Sequence, residues 1–518
     1  MKLSMVGGWL AALPPWRARS VALAAGALSA LGFAPLDAFP FLLLGYTALV
    51  LLLDGAQGWR HACWIGWSFG FGQFLIGLHW VGYAFLVDPS QHAWQIPFVA
   101  ILFPGGLALF FALAAATASL FWRPGISRIF VLSAALAVTE WLRGHVLTGF
   151  PWNIAGYSWG ASLSMMQGAA LFGVYGLSLL TMMLGASLAE LFTVNGARRL
   201  PVAMLLFFAA LFVGGWERLS QKTDPDIAGV RLRIVQPNIA QADKYKPSLI
   251  DRNWNRLIQL STRPAAEMPT HILWPEAGPP FLLQRSDAAL RQIAALTAQD
   301  RVLMTGAVRV SHDDGARQFY NSFFVFGRGG QLLGLYDKFH LVPLGEYLPF
   351  EKMLSALGLK KLVGIAGSFS TGDGPHTLFI RRAPPASVLI CYEILFPDQV
   401  VADQRARWIV NVTDDSWFGP WAGPSQHLMV ARMRAIEQGI PVVRAANTGI
   451  SAVIDAKGRI RARLDLALEG VIDSGLPASI APTPFARQGE YAFWLLVLAA
   501  LLAGLLVVQN RQPQDEDR

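Results

Sequence analysis

Long apolar runs fill the first two hundred residues, and then the pattern changes. Stretches at 20–35, 38–53, 62–86, 94–122, 127–142, 165–193 and 200–216 are almost free of charge. Each approaches or exceeds the ~20 residues that carry a helix across a hydrocarbon core. From about 228 to 484 short strand-like runs alternate with helices, and Tyr491 to Val508 is apolar again. The pattern predicts eight spans: seven in a membrane domain over 1–216 and an eighth over 491–508. A folded domain occupies 217–490 and a tail follows at 509–518.

Within the polar section, Arg231–Gln236, His271–Trp274 and Val302–Gly306 predict strands, with helices at Leu249–Ser261 and Asp287–Gln299 between them. Asn321–Phe326 and Gln331–Tyr336 read as a hairpin turning at Gly329-Gly330. Ala386–Ile390, Trp408–Val412, Val442–Ala445 and Ser451–Asp455 are further strands, with a helix at Gln426–Gln438 among them. This mixture predicts a layered α/β domain.

Composition supports the division. Only 15% of residues are charged and mean hydropathy is +0.41, too apolar for a soluble chain of this length. The net charge of +8 requires no nucleic acid partner. Lys2, Arg17 and Arg19 precede the first span, Arg60 follows the second, and Arg123 and Arg128 follow the fourth. Arg198 and Arg199 follow the sixth, and Arg511 and Arg518 the eighth. The positive-inside rule then puts both termini in the cytoplasm and the 217–490 domain outside. Arg17 and Arg19 before Ala27-Leu28-Ser29-Ala30 are reminiscent of a cleaved signal, but the next span follows at once and an uncleaved helical hairpin is simpler. Gly70, Gly72, Gly77 and Gly82 are expected to permit close helix packing. Glu140 and Arg143 are expected to pair at a membrane interface, and His79 to pack there.

The chain has two cysteines, Cys63 in an apolar segment and Cys391 at the end of Val388-Leu389-Ile390. A lone thiol at a strand end is by itself ordinary packing. Two further residues change that reading. Glu276 ends Leu273-Trp274-Pro275-Glu276, and Lys338 lies in Tyr336-Asp337-Lys338-Phe339-His340. All three follow strand-like runs, where a rigid scaffold presents reactive groups. An acid, an amine and a thiol together suit acyl transfer through a thioester. Taken singly, Glu276 is a helix-start acid and Lys338 a solvated hairpin residue.

In this order and context, Glu276, Lys338 and Cys391 resemble the nitrilase superfamily. With the flanking spans the whole chain is similar to the apolipoprotein N-acyltransferases, the bacterial family that completes lipoprotein maturation. Val235-Gln236-Pro237-Asn238-Ile239, Pro343-Leu344-Gly345-Glu346-Tyr347-Leu348-Pro349 and Asp415-Ser416-Trp417-Phe418-Gly419 carry the resemblance further. It implies an αββα sandwich outside the bacterial inner membrane and a ping-pong reaction. Glu276 would be the general base, Cys391 the nucleophile, and Lys338 with the Tyr392 backbone N–H the oxyanion donors. Glu346 and Glu393 would position Lys338 and the thiol. Trp417 and Phe418 would line the acyl site, and Tyr245 would contact lipid where the family often carries tryptophan. The implied substrates are a membrane phospholipid donor and a diacylglyceryl apolipoprotein acceptor. No metal or organic cofactor is implied, and a monomer is expected.

Residues 352–363 mix leucines with lysines and are expected to form an arm that dips into the outer leaflet. Asn411-Val412-Thr413 matches a glycosylation sequon but falls at a buried strand end and is set aside. Two other function classes stay open on the sequence: a membrane-tethered amidase or nitrile hydrolase with the same three residues, and a transporter or scaffold whose domain only binds lipid.

Overall fold

The computed structural model describes residues 3–506 apart from 195, 223–224, 313–316, 350–367 and 403–404. The arm expected at 352–363 and the tail lie outside the described residues. Contacts divide the chain into two compact units. One comprises Met1–His79, Pro97–Gln221 and Thr483–Arg518, and the other Trp80–Ile96 and Lys222–Pro482.

The first unit is helical. Its longer helices are Pro15–Ser29, Phe39–Leu53, Trp59–Gly77, Ile96–Leu120, Ser127–His145, Ala169–Ser187, Arg199–Ser220 and Tyr491–Leu506. Among the described residues three helical runs are long and apolar enough to cross a membrane: Pro89–Leu120, Ala169–Leu191 and Arg199–Ser220. A fourth is added if one bent pair counts as a single span, and Phe39–Leu53 and Tyr491–Leu506 are apolar but shorter. The span expected over 62–86 is not one helix. The α-helix stops at Gly77, where Leu78 leaves helical geometry, and a 3-10 segment, His79–Leu86, follows. His79 Nδ1 lies 2.8 Å from the Ile76 carbonyl, partnering one of the acceptors that a helix end leaves open.

Small residues seat the helices. A Cβ at Gly72 would strike the Leu23 backbone, and one at Gly70 the Phe111 ring. Gly82 does not share this role, since a Cβ there would meet nothing nearer than 4.0 Å. Glu140 and Arg143 are buried in the unit, with Arg143 Nη2 3.8 Å from Glu140 Oε2. Arg143 donates to the Phe150 and Trp152 carbonyls at 2.6 and 2.8 Å, and Glu140 accepts from Ala155 N–H at 3.1 Å. The irregular backbone at 150–155 supplies these partners, which an apolar pattern cannot announce. Arg128, also buried, joins Asp54 at 3.0 Å and Glu190 at 2.9 Å. Arg128→Met is expected to destabilise the unit by about 3–5 kcal/mol, because it strands the Glu190 carboxylate. Thermal melting in detergent measures this, and an unchanged midpoint would contradict it.

The second unit is a sandwich of two six-stranded sheets. Its strands are β1 (Arg231–Gln236), β2 (His271–Trp274), β3 (Val302–Ser311), β4 (Gln318–Phe326), β5 (Leu332–Asp337), β6 (Thr377–Leu378), β7 (Ala386–Ile390), β8 (Trp408–Thr413), β9 (Val442–Ala446), β10 (Ser451–Ile454), β11 (Ile460–Leu464) and β12 (Gly470–Gly475). The orders are β12-β1-β2-β3-β4-β5 and β11-β10-β9-β8-β7-β6. β1, β2 and β3 run parallel, as do β7, β8 and β9. Period-two alternation sorts the side chains. Leu232, Ile234, Leu273, Met304 and Phe323 meet Val388, Ile390, Val410 and Val443 between the sheets. Val235, Ile272, Trp274 and Leu303 point the other way, onto the helices Ile250–Thr262 and Asp287–Leu296. The helix Ala422–Gln438 packs beside β9, giving an αββα order of layers.

Candidate active site

The three residues singled out in the sequence sit just past strand ends: Glu276 after β2, Lys338 after β5 and Cys391 after β7. Gly306 on β3 makes room for the first. A Cβ there would come 2.6 Å from Glu276 Cα, so a side chain would push the acid out of place. Glu276 Oε1 accepts from Asn321 Nδ2 at 2.8 Å and faces Lys338 Nζ at 3.7 Å. Its Oε2 accepts from the Asp414 backbone N–H at 2.9 Å.

Lys338 is 1% exposed. Its ammonium lies 2.9 Å from Glu346 Oε2. Glu346 is held from two further directions, by Asn321 Nδ2 at 2.9 Å and Val342 N–H at 2.9 Å. One carboxamide thus bridges both carboxylates that flank the ammonium. Burial alone would lower the Lys338 pKa, but Glu346 and Glu276 outweigh it and the net shift is upward. Burial likewise raises Glu276, with Lys338 opposing and Glu346 adding to the rise.

Cys391 is buried and adopts φ +51°, a left-handed conformation that a non-glycine residue holds only at a cost. Burial pushes its thiol well above the usual range, Glu276 pushes further, and Lys338 pulls back. The charges of Glu276 and Lys338 thus both act on the Cys391 thiol, in opposite directions.

Glu393 fastens this turn. Its Oε2 accepts from Ile390 N–H at 2.7 Å. Its Oε1 accepts from Tyr336 O–H at 2.9 Å, Phe339 N–H at 2.8 Å and His340 N–H at 3.3 Å. One buried carboxylate ties the segment after Lys338 to the segment holding Cys391. Burial lifts its pKa to about 7, against the pull of those backbone donors. Tyr392, next to the thiol, packs its ring against His340 and Phe396.

Tyr245 is 43% exposed and follows Lys244, whose buried ammonium joins Asp414 Oδ2 at 2.5 Å and the Glu276 carbonyl at 3.3 Å. Trp417 and Phe418 lie in the half-buried turn after β8. Phe418 stacks edge-on with Trp80 at 4.7 Å and packs against the inter-sheet core that includes Cys391.

Sequence comparison completes the picture. The pattern described as the apolipoprotein N-acyltransferase N-terminal domain matches residues 25–187, and the carbon-nitrogen hydrolase pattern matches 231–485. An apolipoprotein N-acyltransferase of Rhodopseudomonas palustris is 44% identical, with 96% of each chain covered. The chain belongs to the apolipoprotein N-acyltransferase family. Further members share 42% identity in Bradyrhizobium diazoefficiens, with 96% of each chain covered, and 37% in Brucella suis, with 98% of this chain and 99% of that one covered.

Asn321, Asp414 and Lys244 escaped the sequence reading. Asn321 is an unremarkable polar residue on a strand, and only its neighbours in space reveal its use. Lys244 and Asp414 adjoin residues singled out above, but their pairing spans 170 positions. Asn321→Leu is expected to slow turnover about 10²-fold, the scale of a misplaced reactive group, while the protein stays folded. Steady-state kinetics with a melting control tests this, and full activity would contradict it.

Proposed function

We propose that the chain moves a fatty acyl group from a membrane phospholipid to the α-amino group of the diacylglyceryl-cysteine that begins an apolipoprotein, through a thioester on Cys391. The observation that carries this reading is the meeting of a buried carboxylate and a buried ammonium, 3.7 Å apart, with a thiol on which both charges act and whose backbone is left-handed. It occurs in a chain whose relatives carry that name over nearly their full length.

Glu276 takes the thiol proton as Cys391 Sγ attacks the ester carbonyl. Lys338 and the Tyr392 N–H stabilise the oxyanion, a contribution of about 2.7–4 kcal/mol per donor. The carbon–oxygen bond to glycerol breaks, Glu276 returns the proton to the leaving oxygen, and a lysophospholipid departs. The acceptor amine then attacks the thioester and gives a proton to Glu276. The carbon–sulfur bond breaks, and the thiolate takes the proton back. Glu346 and Glu393 hold Lys338 and the nucleophile turn in register. Tyr245, Trp417 and Phe418 contact the lipid chains. Eight spans place both termini in the cytoplasm and residues 217–490 outside the inner membrane, as the basic loops suggest.

The test supplies acyl-labelled phospholipid and a synthetic diacylglyceryl-cysteinyl peptide to the full chain in liposomes. Label should reach the peptide amine with the native chain and not with Cys391→Ala, and Glu276→Gln should fall about 10²–10⁴-fold. Label released as free fatty acid instead would replace the transferase reading with hydrolysis. No movement of label in either direction would return the domain to a binding role.

The pH profile is a second check. Glu276 must be ionised to act, and its pKa is raised from the ordinary 4.5. The base form is therefore lost as pH falls through the raised value, so the acid limb of the thioester-forming step lies above pH 4.5. An acid limb at the ordinary carboxylate value would contradict the assignment.

A further inference from the structure

His427, on the helix Ala422–Gln438, is fully buried and takes no part in the chemistry above. Its Nε2 lies 3.3 Å from the backbone carbonyl oxygen of Cys391, and its Nδ1 lies 2.9 Å from Asp415 Oδ1. Asp415 is anchored in turn. Its Oδ2 accepts from Arg444 Nη2 at 2.6 Å, and its Oδ1 accepts from the Thr413 hydroxyl at 2.8 Å. Arg444 also donates to Asn411 Oδ1 at 2.5 Å and to the Ile450 carbonyl at 3.2 Å, and Nη2 comes 3.1 Å from His427 Nδ1. His427, Asp415, Arg444 and Asn411 are all fully buried. Such a network is costly unless every member is satisfied, and once satisfied it is rigid.

The peptide that His427 grips is the one that matters for an oxyanion. A trans peptide is planar, so its C=O and N–H point in opposite directions from one rigid unit. The carbonyl of Cys391 and the N–H of Tyr392 belong to the same unit. Fixing the first aims the second. The unit follows a residue at φ +51°, where the backbone needs outside support to stay.

We propose that His427, clamped by Asp415 and Arg444, is a positioning residue that aims the Tyr392 N–H at the oxyanion. This rests on the thioester reading above. It assigns the histidine no proton transfer; its role is to hold one peptide plane.

Three variants separate this role from simple support of the fold. In His427→Gln the amide nitrogen reaches toward the Cys391 carbonyl and keeps that donor. His427→Asn reaches only the Asp415 and Arg444 side of the network, and His427→Leu reaches neither. The measurements are single-turnover acylation of the full chain by phospholipid and alkylation of Cys391 by iodoacetamide, which displaces iodide without forming an oxyanion. Acylation should drop about 10²–10³-fold in the Asn and Leu variants, the cost of one lost oxyanion donor. It should recover to within about tenfold of native in Gln, a loss of about 1.4 kcal/mol. Alkylation should be little changed in all three. Acylation and alkylation falling together would overturn the proposal in favour of a structural role, as would an unimpaired His427→Leu. A native chain that forms no acyl adduct overturns the thioester reading and this proposal together, whereas an acylated native chain with an unimpaired Leu variant overturns this proposal alone.

Discussion

Lys338 has almost no contact with water, and its charge is sustained by Glu346 at 2.9 Å on one side and Glu276 at 3.7 Å on the other. A buried charge of this kind is stable only when paired and hydrogen-bonded. The pairing dictates much of what surrounds it. Two carboxylates against one ammonium leave an excess negative charge, and neutral donors must absorb it: the Asn321 carboxamide and the backbone N–H groups of Asp414 and Val342. Those groups come from β4, from the turn after β8 and from the loop after β5. The site thus binds both sheets together at one end of the sandwich.

The turn at Cys391 obeys a second constraint. Cys391 leaves β7 with a left-handed backbone, and a single carboxylate, Glu393, gathers N–H groups from the segment before Cys391 and the segment after Lys338. Burial makes these contacts strong and makes their loss expensive. Burial and the neighbouring Glu276 disfavour the Cys391 thiolate, and Lys338 opposes them.

Much of the sandwich was legible because it is written in short-range patterns. β1, β2 and β7 match their sequence-predicted limits, since short apolar runs closed by Pro or Cys mark where a strand stops. The brief β6 and the half-exposed β12 lack such a pattern and were not anticipated, and β11, which alternates Ile460, Ala462 and Leu464 with two arginines, was passed over. The site was legible only where a residue announces its chemistry. Glu276, Lys338 and Cys391 stand out as candidates because an acid, an amine and a thiol each follow a strand-like run, whereas Asn321 and His427 acquire meaning only from partners on distant strands. In the helical unit apolar length overstated continuity: the run through 62–86 contains the turn at Leu78, set by backbone geometry rather than hydropathy. The burial of Arg143 and Glu140 was not legible, because hydropathy cannot register an irregular backbone that solvates charge from within.

The central claim is that Cys391 carries the acyl group between the two substrates. Its most direct measurement is the intact mass of the full chain after incubation with phospholipid alone, followed by peptide mapping of any adduct. The account predicts an added mass of one fatty acyl group on Cys391, stable in water and discharged by a diacylglyceryl peptide amine. A chain that remains unmodified with lipid in excess and acceptor absent, or an adduct mapped to another residue, would contradict it.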